Sequence, residues 1–236
     1  MEMNLTTTKG TARLAGLIYF VWIIVALYGM AYLPSQIDMK GDATSIAQNV
    51  LSHETLFRTG IFNDLIVHTI WIVMVLVFYR LFKPVNEFQA KLLVALVLVQ
   101  IPVVFFNEAF NVAALKILLN KDLLGSFTPD QRQEIVSLFL KFGDYAVLTL
   151  EIFWGLWLFP LAYLVYKSRF LPKFIGIWLM LNGIAYVILS GVSIVIPEYK
   201  HIVFNISIPA MVGEVVLTLW LLIMGAKEQK VNTVVA

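Results

Sequence analysis

Six apolar stretches, at about 12–33, 60–82, 90–118, 143–166, 173–196 and 204–225, each reach the length that a bilayer crossing demands. A span needs about 20 mostly apolar residues. In hydrocarbon every backbone N–H and C=O must be satisfied internally, so only helices and closed barrels cross. Barrel strands alternate apolar and polar residues. These runs are continuously apolar and predict helices. The expected fold is therefore all-α, a polytopic membrane helix bundle with six transmembrane helices forming one integral membrane domain over residues 1–236. Composition agrees: 60% of the residues are hydrophobic and 14% charged, against about 25% charged in an ordinary soluble domain.

The punctuation between the runs is explicit. Pro34, the Lys83-Pro84-Val85-Asn86 turn, Gly125 with Pro129, Pro172 and Pro197 all separate apolar segments. The first run follows Lys9 and Arg13 but is longer than a signal-peptide core, so it reads as a retained first helix. Two longer connections carry patterns of their own. Asp42 precedes a segment with Ile46, Val50 and Leu51 at helical spacing. Thr128-Pro129-Asp130 places a capping residue before a proline at the first helical position, ahead of Ile135, Leu138 and Phe139. Both predict short amphipathic helices lying on the outer membrane face, either shielding helix ends or forming a lid.

Cation placement sets the expected orientation. One side collects Lys9, Arg13, Arg80, Lys83, Lys91, Lys167, Arg169, Lys173, Lys227 and Lys230. The other collects Lys40, Arg58, Lys116, Lys121, Arg132, Lys141 and Lys200. The bias of ten to seven, concentrated in the short turns, predicts a multi-pass protein of the inner (plasma) membrane with both termini cytoplasmic. The formal net charge of +2 offers no basic field for nucleic acid. The chain has no cysteine, which excludes disulfides, thiolate nucleophiles and Cys-ligated metal centres.

Ionisable groups inside the spans come next, because each costs about 2.5–3.5 kcal/mol at a helix centre on insertion scales. Helix two holds Asp64 and His68, which share a face at i,i+4. Helix three holds Glu108 beside a stripe of Gln100, Asn107 and Asn111. Helix four holds Asp144 and Glu151, helix five Asn182 and Ser190, and helix six Glu214. Counted from the span centres, Glu214 falls near the midplane. His68, Glu108 and Glu151 fall three or four residues toward the outside, roughly 5 Å off centre. If these faces converge, they line a polar recess opening outward through Asp64 and Asp144, with His68, Glu108, Asn111, Glu151 and Glu214 as its ligand-binding residues. No Lys or Arg shares that depth. Buried carboxyls without a cationic partner must be protonated, hydrated or bound to a cation.

Three function classes follow. The first is a non-enzymatic membrane protein that binds or passes a small ligand: a proton, a metal cation or an amphiphile. The second is an intramembrane metalloenzyme, with His68, Glu108 and Glu151 as ligands of a divalent metal and Glu214 as acid/base. Its spacing signal is weak, since Asp-x-x-x-His supplies two ligands at most. The third is a structural or interaction protein, in which His68 and the asparagines link helices by hydrogen bonds. Other catalytic templates fail: Ser190 and Ser193 have no His on their own helix, and no Gly-rich phosphate loop is present.

An ordered set of short pieces gives a resemblance. These are Phe57-Arg58-Thr59-Gly60, Leu81-Phe82-Lys83-Pro84-Val85-Asn86, and Tyr166-Lys167-Ser168-Arg169-Phe170-Leu171-Pro172 running on to Gly176. Gly183 with Tyr186 follows, then Glu214 before Leu219-Trp220-Leu221-Leu222. Over nearly its whole length the chain resembles the uncharacterised bacterial membrane-protein family termed domain of unknown function 4386. The resemblance implies a six-helix bundle and assigns no activity. In the family pattern Arg stands at the position of Val97 and His at that of Trp157. Chemistry that needs those two groups would be absent or altered here.

Overall fold

The structure, a computed structural model, describes residues 5–120 and 122–227. Lys121 and Lys230, both counted in the cation bias, lie outside the described residues. The helices are α1 (Leu5–Leu27), α2 (Leu33–Gln36), α3 (Ala43–Ser52), α4 (Glu54–Phe82), α5 (Glu87–Leu98) and α6 (Ile101–Leu119). They continue with α7 (Pro129–Leu156), α8 (Leu158–Lys167), α9 (Lys173–Val195) and α10 (Lys200–Ile223). No strand occurs among the described residues. Six helical stretches are long and apolar enough to cross a membrane: Thr8–Gln36, Glu54–Phe82, Glu87–Leu119, Pro129–Lys167, Lys173–Val195 and Pro197–Ile223. The fold is all-α, with six candidate membrane spans.

Local chemistry explains the ends. Pro84 stands two residues past the end of α4, and the turn closes with the Val85 and Asn86 amides on the Phe82 carbonyl. Asn86 then caps α5, its Oδ1 accepting the Gln89 amide at 3.0 Å. Asp42 caps α3 by accepting the Ser45 amide at 2.8 Å. Hydrogen bonding from Ser45 holds the Asp42 carboxyl below its ordinary value. At α7 a reciprocal box forms: the Thr128 amide bonds Gln131 Oε1 at 2.9 Å, and the Gln131 amide bonds Thr128 Oγ1 at 3.3 Å.

Pro34 acts differently from the sequence expectation, and Pro102 and Pro160 interrupt spans expected to be continuous. Pro34 does not end the first span, which runs on to Gln36. It sits in the first turn of α2, where a missing N–H is tolerated. A π-helical turn at Tyr28–Tyr32 precedes it, with the Leu33 amide reaching back to the Tyr28 carbonyl. Pro102 splits the third span: α5 stops at Leu98 and α6 starts at Ile101, because the proline ring collides with the carbonyl four residues back. Pro160 does the same between α7 and α8 at Trp157. The expected short helix after Thr128 is also not separate. It forms the first turns of α7, since no proline interrupts the chain between Pro129 and Leu156.

The described residues divide into two compact units. The first gathers those of Met1–Val21, Trp71–Leu98 and Glu151–Ala236, and the second those of Trp22–Ile70 and Val99–Leu150. In the first, α5 packs on α8, α8 on α9 and α9 on α10. Its fully buried side chains include Tyr19, Met74, Phe78, Phe82, Leu161 and Phe170, with Phe82 and Phe170 stacked at 5.9 Å. Gly155 and Gly183 let α7 and α9 approach so closely that a Cβ on Gly155 would lie 2.6 Å from the Gly183 carbonyl oxygen. In the second, α3 packs on α6, and Ile37, Val50, Phe57 and Leu115 form an apolar cluster.

Candidate functional site

The candidate residues fall in both units. Asp64, His68, Glu108 and Asn111 belong to the second; Glu151 and Glu214 belong to the first.

In the second unit, Glu108 on α6 is 3% exposed. Its neighbours on the same helix grip it: Asn107 Nδ2 donates to Oε1 at 3.3 Å and Asn111 Nδ2 to Oε2 at 3.1 Å. Asn107 and Asn111 thus converge on one carboxyl, whereas Gln100 stands at the start of α6. Asp64 on α4 is half-buried, and its carboxyl neighbours that of Glu108. Backbone completes the enclosure. A Cβ on Gly29, within the π-helical turn, would lie 3.0 Å from Asp64 Oδ1 and 2.9 Å from Asn63 Nδ2. A Cβ on Gly143 of α7 would lie 3.4 Å from the Asn107 amide. Asn63 Nδ2 and Asn107 Oδ1 are both buried without a hydrogen-bond partner.

His68 Nδ1 lies 2.7 Å from the Asp64 carbonyl oxygen, one turn back on α4. A carbonyl only accepts, so Nδ1 carries a proton; in the neutral ring Nε2 is then the acceptor. Asp144 is exposed. The ion pairs among the described residues, Arg58–Glu54, Lys83–Glu87 and Lys91–Glu87, involve neither Asp64 nor Glu108.

In the first unit, Glu214 on α10 has both oxygens occupied. The Tyr19 hydroxyl donates to Oε2, and Asn182 Nδ2 on α9 donates to Oε1 at 2.8 Å. Glu151 on α7 is 5% exposed, and its Oε2 has no hydrogen-bond partner. Tyr186, one turn from Asn182 on α9, interacts electrostatically with both Glu214 and Glu151. Among the described residues no three His, Asp or Glu side chains stand together as a metal-holding group.

Sequence reasoning missed Tyr19, Asn63, Gly29 and Gly143. Tyr19 lies in an apolar run 195 positions before its partner, and no local pattern marks it. Asn63 stands beside Asp64, and its polarity within a span was a usable signal. The glycines act through backbone proximity, which spacing on one helix does not reveal.

A protein of Archaeoglobus fulgidus named "Uncharacterized protein" is 34% identical to this chain over 93 residues, covering 37% of this chain and 51% of that protein. The match thus spans about half the length of that relative. No solved structure matches the chain. Residues 14–225 match the family described as Domain of unknown function (DUF4386), nearly the whole of the described chain, and the chain belongs to that family.

Proposed function

We propose that this is a multi-pass protein of the inner membrane, with cytoplasmic termini, that binds and passes a proton or small cation through an outward-facing recess. The recess is built on Asp64, His68, Glu108 and Asn111. The observation that carries the reading is the pairing of two carboxyls, on α4 and α6, within membrane-spanning stretches. Adjacent carboxylates cannot both stay ionised without compensation, so such a pair holds a proton or a cation between them. Ionisable groups persist in a span chiefly where they serve transfer or binding. His68, held by Nδ1 on the Asp64 carbonyl, supplies a titratable ring near the pair through which a proton enters or leaves.

The helix interruptions favour the same reading. The π-helical turn bears Gly29 against Asp64, and the break before Pro102 begins the helix that carries Glu108. Irregular backbone at membrane depth is typical of ion-binding sites in transporters.

Reconstitution tests the proposal. Proteoliposomes carrying a pH-sensitive dye in the lumen and an imposed potential should show proton flux with the parent protein. Flux should fall at least about ten-fold in Glu108→Gln, equivalent to 1.4 kcal/mol in the barrier. Equal flux in parent and variant would reject the recess as the path.

A further inference from the structure

Two short turns of the first unit, each flanked by lysines, differ in one respect. At the α4–α5 turn, Lys83 and Lys91 share the carboxylate of Glu87, at 3.7 and 3.1 Å. At the α8–α9 turn, Lys167 and Lys173 flank Arg169, and no Asp or Glu occurs from 152 to 197. All three cations are exposed, and none of the ion pairs among the described residues includes them. The fold nevertheless gathers these charges. Lys167 Nζ lies over the Tyr163 ring at 6.0 Å, and Lys173 Nζ over the Tyr166 ring at 5.4 Å. Tyr163 and Tyr166 are i,i+3 neighbours on α8, so the two ammonium groups share a patch. The turn between them is pinned. Ser168 Oγ accepts the Leu171 amide at 3.2 Å, the Phe170 carbonyl accepts the Lys227 amide at 2.9 Å, and Phe170 stacks on Phe82. Arg169 stands between buried Ser168 and Phe170 with a φ of 60°, in the left-handed region that favours glycine. A cation thus occupies a position where glycine would be less strained.

The preference for cations on one side of a membrane accounts for lysines at both turns and does not distinguish them. Counter-charge does. A ring face attracts an ammonium group without neutralising it, so Lys167, Arg169 and Lys173 repel one another until an anion joins them. Their position selects the anion. Lys167 ends one candidate span and Lys173 begins the next, so both lie at one bilayer surface. Exposed Tyr163, Tyr166 and Phe174 stand beside them. Aromatic rings and cations so placed match the headgroup layer, where a phosphodiester is the anion at hand. We propose that Lys167, Arg169 and Lys173 form a docking site for the headgroup of an acidic phospholipid. Its phosphodiester supplies the counter-charge that Glu87 supplies at the α4–α5 turn. The site is separate from the proposed recess and requires no particular orientation of the chain.

The test uses the full chain in neutral detergent, with phosphatidylglycerol or phosphatidylcholine of the same acyl chains added. Thermal midpoint and native mass spectrometry of retained lipid are the readouts. Phosphatidylglycerol should raise the midpoint saturably and be retained in preference to phosphatidylcholine. One cation near a membrane surface is worth about five-fold in affinity for anionic lipid. Lys173→Gln should therefore weaken the apparent phosphatidylglycerol affinity by about that factor. Lys91→Gln removes the same charge from the turn that has its own carboxylate, and should keep the parent affinity. Arg169→Gly removes a cation at a backbone position that glycine accepts, so it should fold and should also weaken the lipid; it decides the matter if Lys173→Gln does not fold. Equal binding of the two lipids overturns the site. Equal weakening by Lys173→Gln and Lys91→Gln also overturns it, since a diffuse positive surface would then suffice. Inorganic phosphate at the same concentration should leave the midpoint unchanged; a shift equal to that from phosphatidylglycerol would mark a free-phosphate site and overturn the lipid as its occupant.

Discussion

The α7–α9 crossing gives a prediction whose size can be worked from the coordinates. A Cβ on Gly155 would meet Gly183 O at 2.6 Å, Val187 Cγ2 at 2.8 Å and Val187 N at 3.0 Å. Two of those atoms are backbone, so the helices must part to admit a methyl group. Overpacking of this kind costs about 1–3 kcal/mol. Gly191, also in the first unit, has nothing within 4 Å of its Cβ position. Alanine gains up to about 1 kcal/mol over glycine in a helix. That gain favours both substitutions and largely cancels between them, so Gly155→Ala should be less stable than Gly191→Ala by about 1–3 kcal/mol. Equilibrium unfolding by sodium dodecyl sulfate in mixed micelles, followed by far-ultraviolet circular dichroism, measures the gap. A Gly155→Ala protein as stable as Gly191→Ala would refute the close approach.

Thr128→Ala removes one half of the reciprocal cap on α7 and should cost about 1 kcal/mol in the same assay. Asp42 has a lowered folded value, so its capping contribution to α3 should be fully present above the ordinary Asp range. It should be lost as pH falls through the lowered folded value. Hydrogen exchange at the Ser45 amide should report that loss in the parent and not in Asp42→Asn. Trp178→Phe deletes the 3.0 Å bond from Nε1 to the Pro209 carbonyl and should destabilise by about 0.5–1.5 kcal/mol. A reporter fused after Ala236 should behave as cytoplasmic; high activity of an alkaline-phosphatase fusion there would reverse the orientation.

Much of the architecture was legible because bilayer length and helix-end chemistry are local. Pro84 with Asn86, and Thr128 with Pro129, act within one turn of where they stand, and both mark real helix ends. Pro34 misled because a proline in a first helical turn costs nothing when a wider turn precedes it. The Asn111 contact with Glu108 follows from i,i+3 spacing on one helix, whereas the Asn107 contact joins adjacent positions that spacing does not bring together. Tyr19 and Asn182 could not be assigned to Glu214 in advance, since their contacts join helices far apart in sequence. Gly29 against Asp64 was equally hidden, because it depends on how the π-helical turn approaches α4.

The claim that Asp64 and Glu108 hold one proton between them has a direct spectroscopic test. Infrared spectra of protein with isotopically labelled Asp and Glu carboxyls should contain a carboxylic-acid band that disappears in Glu108→Gln and also in Asp64→Asn. Loss in both variants is what a shared proton predicts. A band that survives both substitutions unchanged would contradict the pair as the proton-holding group.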